Sequence, residues 1–196
     1  MSDFNQLSLE VEGFSFPDYV SLLRAHSSGQ IEFGAAPDFA RQWLMADKSA
    51  PAFPRVLVHL HTLAIIIFPI AWLVIAFVKG DLLWGAMAVL TVPLFLFLRP
   101  MTVNLIGGPL TLAIWCGYAC ILANLVGWFS GWSMALGLTI IAPWLMNKFT
   151  YGFSRDTALN IALKSEPGFV KLFKFGVVNL RKPGGNYISY RRKVSE

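Results

Sequence analysis

Charge is what the middle of this sequence lacks. From Val56 up to Lys148, some ninety residues, the ionic side chains are Lys79, Asp81 and Arg99. Over the whole chain 14% of residues are charged, against about 25% in ordinary soluble domains, while 56% are hydrophobic. A water-soluble fold has no way to hide so long a stretch with so little charge, so the block is expected to lie in a bilayer. No acid or base falls in the middle of any apolar run, where proton- and ion-coupled carriers place their ionisable groups.

Other absences narrow the reading further. There are two cysteines, Cys116 and Cys120, both within apolar sequence. Two are too few for a disulfide framework. In apolar surroundings a thiol is expected to be inert and to serve packing. The start, MSDFNQLSLEVEG, has no basic region leading into an apolar run, so no cleavable signal is expected and residues 1–55 should stay in the compartment of synthesis. No HExxH, GxSxG or P-loop pattern occurs. No zinc-finger or RNP-type motif occurs either, and no nucleic acid partner is expected.

What is present divides into three parts. Residues 1–55 form an acidic polar extension, with seven acids against four bases. Tyr19–His26 reads as a short helix stopped at Ser27-Ser28-Gly29. Ala36-Pro37-Asp38 begins a second through Met45, with Phe39, Trp43 and Leu44 on one face. Ala50–Pro54 reads as a stiff linker. Residues 56–148 then hold four apolar runs, at 56–78, 82–98, 109–129 and 132–146. Each is continuous rather than alternating, which favours helices over a barrel. The first is long enough for a hydrocarbon core about 30 Å thick. Pro69, Pro93 and Pro143 lie inside three of them. Trp84, Trp128 and Trp132 fall near the ends, as interfacial anchors do. Trp72, Trp115 and Trp144 lie deeper, where an indole N–H needs a partner.

Residues 149–196 form a basic extension. From Lys148 onward there are ten bases against three acids. Asp156 is expected to cap a short helix to Lys164 and Glu166-Pro167-Gly168 to break it. Phe169–Phe175 mixes aromatic residues with lysines, as a surface-lying element would. Residues 176–182 and 187–192 flank Pro183-Gly184-Gly185-Asn186 as a possible β-hairpin.

The expected fold class is therefore an all-α integral membrane protein of about four transmembrane helices in two hairpins, with small extensions at both ends. Four crossings return both termini to one side. The basic tail, Arg99 and Lys148 make that side cytoplasmic by the positive-inside rule, in a bacterial inner membrane. Leu90-Thr91-Val92-Pro93 and Leu138-Thr139-Ile140-Ile141-Ala142-Pro143 hint that one hairpin repeats the other.

Few residues suggest chemistry. His59 and His61 are two apart, so on a helix they point about 200° from each other and cannot clamp one metal. Each could serve as an axial ligand to haem or a chlorophyll-type pigment; interfacial hydrogen bonding is the plainer role. Ala119, Ala123 and Gly127, with Ser133 and Gly137, are small residues four apart, a spacing that lets helices pack closely in lipid. Asn124 should find an interhelical partner. Lys171, Lys174, Arg181, Lys182, Arg191, Arg192 and Lys193 are candidates for anionic lipid or partner contact. No catalytic set and no metal site is expected. The leading function is a non-catalytic structural or accessory subunit of a larger inner-membrane complex, such as a secretion or energy-transducing assembly. Its partners would be the bilayer and other membrane subunits. A small transporter or channel component is the alternative, and a haem- or pigment-binding subunit the second.

Overall fold

The computed structural model describes residues 9–11, 14–98, 109–128 and 131–185. They are mostly helical. In chain order they form β1 (Leu9–Val11), β2 (Phe14–Phe16), α1 (Tyr19–Ser27), β3 (Glu32–Ala35), α2 (Pro37–Ala46), α3 (Ala52–Lys79), α4 (Leu82–Leu98), α5 (Pro109–Leu125), α6 (Gly131–Lys164), α7 (Glu166–Lys174) and β4 (Val178–Arg181). The chain divides into a head unit, residues 1–55 with 151–196, and an apolar unit, residues 56–150.

The head unit joins what the sequence presents as two separate extensions. β3 pairs antiparallel with β4, Glu32 opposite Arg181 and Ala35 opposite Val178. β1 and β2 form a second antiparallel pair, Leu9 opposite Phe16. Asp18 caps α1, its Oδ1 accepting from the Ser21 N–H at 2.6 Å. The core draws on both ends of the chain: Leu22, Ile31 and Leu44 from one, Phe169, Leu172, Val177, Val178 and Leu180 from the other, all fully buried. Phe169 lies 5.8 Å from the Tyr19 ring and 5.7 Å from that of Phe33. The Tyr19 hydroxyl donates to the Ala162 carbonyl at 2.5 Å. On α2, Ala40, Trp43 and Leu44 are buried, whereas Phe39 faces out.

Three elements of the tail differ from their sequence reading. The fourth apolar run does not close at Asn147-Lys148, because α6 continues to Lys164. Neither residue breaks a helix, and Tyr151, Ser154, Ala158 and Ala162 give the continuation a buried face at helical spacing. Asp156 lies inside that helix instead of capping one, and it pairs with Arg155 at 3.0 Å. The helix does end at Lys164 as expected, and Glu166-Pro167-Gly168 then opens α7: Ser165 accepts from the Gly168 N–H at 3.2 Å, and proline suits a first turn. Phe169–Phe175 is no surface-lying element either, because Phe169, Val170, Leu172 and Phe173 are buried in the head core. The suggested hairpin partner, 187–192, lies outside the described residues; the partner of β4 among them is β3.

In the apolar unit α3 is the described helix long and apolar enough to cross a membrane, by length and composition. It starts at Ala52, four residues before the first apolar run, with Pro54 in its first turn, where a missing N–H costs little. α4 and α5 are shorter apolar helices. Pro69, Pro93 and Pro143 sit within α3, α4 and α6 without ending them. Those of α3 and α4 share a cavity of about 530 Å³ with Leu73, Ala88, Val89 and Val92. Only 22% of the most apolar window of α3 is buried. Large apolar side chains are exposed on every helix of the unit, among them Phe77, Leu82, Val89, Trp115 and Leu138.

Candidate functional site

A dense polar cluster of the head unit lies where α2 hands over to α3. Asp47 follows α2 directly. Its Oδ2 accepts from the Trp43 indole N–H at 2.9 Å. Its Oδ1 accepts from the Ser49 backbone N–H at 2.9 Å and hydroxyl at 2.8 Å. Lys171, on α7, forms an ion pair with the Asp47 carboxylate and donates to Ser49 Oγ at 2.7 Å. The Lys171 bond, with those from Ser49 and Trp43, holds the Asp47 carboxyl well below the usual carboxylate range, against the smaller effect of burial. Beside the cluster lies a cleft of about 360 Å³, walled by Trp43, Pro51, Ile161 and Leu172 among others.

A serine beside a lysine is a nucleophile–base geometry when the amine is free to take a proton. Here the amine is engaged by Asp47, and the trio ties the linker after α2 to α7. The folded state prefers the ionised Asp47, so its contribution to stability is complete above the unfolded carboxyl value, about 3.9. It is lost as pH falls below that value. Acid titration of the full chain, followed by far-ultraviolet circular dichroism, should therefore show an unfolding limb below about pH 4 that is weakened in Asp47→Asn. An unchanged limb in that variant would place the acid sensitivity elsewhere.

A second cluster fastens α6 to α2. Arg41 is buried, its guanidinium 5.6 Å from the centre of the Tyr151 ring. Burial first, and then the bonded Asp38 carboxylate, push the Tyr151 phenol up to about 12, against the lowering effect of Arg41. Sequence reading passed over this trio because residues 38, 41 and 151 share no local motif. The basic candidates of the tail divide. Lys171 is held by Asp47, and Arg181 donates to Glu32 across the β3–β4 pair at 2.6 Å. Lys174 and Lys182 are exposed. Arg191, Arg192 and Lys193 lie outside the described residues.

In the apolar unit the two histidines part company. His59 is exposed, while His61 is buried with its ring 6.3 Å from that of Phe95. Neither lines the 530 Å³ cavity, nor a 640 Å³ groove shared by α4, α5 and α6. Among the described residues no group of three or more metal-ligating side chains gathers.

The small-residue stripe is placed differently from its spacing. Gly127 follows the end of α5 in a left-handed conformation where an added Cβ would meet nothing within 4 Å, and Ala119 is exposed. Ala123, Asn124 and Ser133 are half-buried. The close approach of α5 and α6 runs instead through Gly117, which the sequence reading did not single out, and Gly137. A Cβ on Gly137 would lie 2.7 Å from the Gly117 carbonyl oxygen and 2.5 Å from Ile121 Cγ1. A Cβ on Gly117 would lie 3.0 Å from Ile141 Cγ1. The readable signal was a pair of matching steps, Gly117–Ile121 and Gly137–Ile141, each spanning four residues. Of the cysteines, Cys116 is exposed and Cys120 half-buried.

Three tryptophans bind α3, α4 and α6. The Trp84 ring lies 5.1 Å from Trp72 and 4.7 Å from Trp132, and the Lys79 ammonium sits 5.0 Å from the Trp84 centroid. The Trp72 indole nitrogen is buried without a hydrogen-bond partner among the described residues. Thr91 and Thr139, the threonines of the suggested repeat, are both buried. Each donates to the carbonyl four residues earlier, at 2.7 and 2.8 Å. No family model, curated protein or solved structure matches this chain.

Proposed function

We propose that the chain is a non-catalytic subunit of a bacterial inner-membrane complex, carrying its folded head unit on the cytoplasmic side of a four-crossing apolar unit. One observation supports this above the others. Residues before Arg55 and after Tyr151 build a single core and share the β3–β4 pair. A chain whose two ends meet in one domain must leave and return on the same side of a membrane. If α3 crosses, at least one later helix crosses back, and the number of crossings is even.

The exposed apolar side chains favour lipid around this unit. A long apolar helix in a water-soluble protein is mostly buried, and α3 is mostly exposed along its most apolar window. The 17 residues of α4, and likewise of α5, rise about 25 Å. That is slightly short of a hydrocarbon core about 30 Å thick, a mismatch that bilayer thinning accommodates. The basic residues of the head unit, with Arg99 and Lys148, favour the cytoplasmic side.

The subunit role follows from what the head offers. Its best-defined polar clusters clamp elements of the head to one another, whereas Val20, Phe39 and Phe175 are large apolar residues left exposed on it. Purification of the full chain in mild detergent should bring down a stoichiometric membrane partner that Phe39→Asp or Phe175→Asp releases. A lone, well-folded monomer under the same conditions would overturn the subunit reading.

A further inference from the structure

α3 presents the broadest apolar face of the apolar unit. Among the described residues eleven of its large apolar side chains are exposed, against five on α4 and four each on α5 and α6. Within that face Leu60, Leu63, Ile67, Ile70, Val74 and Phe77 recur at alternating steps of three and four, each between 47% and 90% exposed. This is the a/d spacing of a coiled-coil seam, repeating every 3.5 residues. The six span about 26 Å of helix. On the far side of α3, Phe68 and Trp72 meet Phe95 and Trp84 of α4. One face of α3 is thus held by its own chain while the seam is left outward. Pro69 falls off the seam, and the helix continues through it.

Three features of the seam suit a second copy of this chain. The first is charge. Residues 56–78 contain no acid, lysine or arginine. Charges beside the seam set partner choice in coiled coils. Here nothing marks a different partner and nothing repels a like one. The second is symmetry. The chain has one orientation in a bilayer, so two copies meet with α3 parallel, and each seam residue faces its counterpart across a two-fold axis. A stripe at 3.5 residues stays in register along such a pair through a left-handed crossing, the common geometry of helices in lipid. Ile67, Ile70 and Val74 are β-branched, so the helix already fixes their rotamers and packing costs them little. The third is area. The six side chains expose roughly 700 Å², and Val56, Ile66 and Leu73 beside them raise the face to about 1,000 Å²; a stable interface takes about 800 Å² from each partner. We propose that α3 pairs in parallel with α3 of a second copy through this seam. The pairing rests on the membrane reading above.

The test is disulfide cross-linking of the full chain in its membranes, on a background of Cys116→Ser and Cys120→Ser with one new cysteine at a time. Leu63→Cys, Ile67→Cys, Ile70→Cys and Val74→Cys should each give a linked dimer on mild oxidation. Their yield should be at least about 5-fold that of Ile66→Cys or Ala71→Cys, which are exposed beside the seam. Because four seam positions are read, one misfolded variant leaves the pattern legible. Equal yields at seam and flank, as random collision gives, or a linked product of other than two chains would overturn the proposal. Carbonate washing of the same membranes separates the two readings. A chain that washes out strikes the membrane assignment and the pairing with it, whereas a chain that stays but shows no seam pattern strikes the pairing alone.

Discussion

Phe169→Ala should unfold the head unit or bring it close to unfolding. The side chain is fully buried and its ring meets those of Tyr19, Phe33 and Phe173. Removing a buried phenylalanine costs about 3–5 kcal/mol, because the lost burial is compounded by a cavity that neighbours fill only partly. Domain stabilities are only about 5–15 kcal/mol in total. The loss should be felt at both ends of the chain, since Tyr19 and Phe33 precede the apolar unit and Phe173 follows it. Limited proteolysis should therefore open sites in residues 14–55 and 151–185 together. Phe175→Ala, six residues on but exposed, should stay within about 0.5 kcal/mol of the parent and leave the pattern unchanged. Cleavage confined to the tail in Phe169→Ala would show that the two ends do not share a core.

Gly137→Ala should be costly and Gly152→Ala favourable, although both glycines lie inside α6. At Gly137 the new methyl would meet Ile121 Cγ1 at 2.5 Å and the Gly117 carbonyl oxygen at 2.7 Å. An isoleucine side chain can rotate away; a helix carbonyl cannot, so α5 and α6 must separate. Overpacking of this kind costs about 1–3 kcal/mol. At Gly152 a Cβ meets nothing within 4 Å. There the helix-propensity gain of alanine over glycine, about 1 kcal/mol, is unopposed. Thermal scans in detergent should move Tm down for the first variant and up for the second. Equal shifts would mean that the α5–α6 approach is not close.

The parts of the fold legible in the sequence are those decided locally. α1 follows from its stop at Ser27-Ser28-Gly29, α2 from Pro37 in a first turn and from apolar spacing, and the apolar block from the want of charge. The extent of α6 is not legible locally: Asn147 and Lys148 look like an ending, but polarity does not stop a helix when the next residues keep its period. The joining of head to tail was illegible for another reason. Glu32 and Arg181 are 149 positions apart, and neither strand carries a mark of its partner. The helix contact was half legible. Small residues four apart occur on more than one face of α5, and only the fit of Gly117 against Gly137 selects between them.

The proposed topology has one folded domain built from both ends of a chain whose middle crosses a bilayer an even number of times. Its most direct test uses a chain with Cys116→Ser and Cys120→Ser and a single new cysteine, at Ser28, Trp128 or Lys182, all exposed positions. A membrane-impermeant thiol reagent is then applied to each face of sealed membranes. Ser28→Cys and Lys182→Cys should react only from the cytoplasmic face and Trp128→Cys only from the other. Reaction of Ser28→Cys and Lys182→Cys from opposite faces would contradict it.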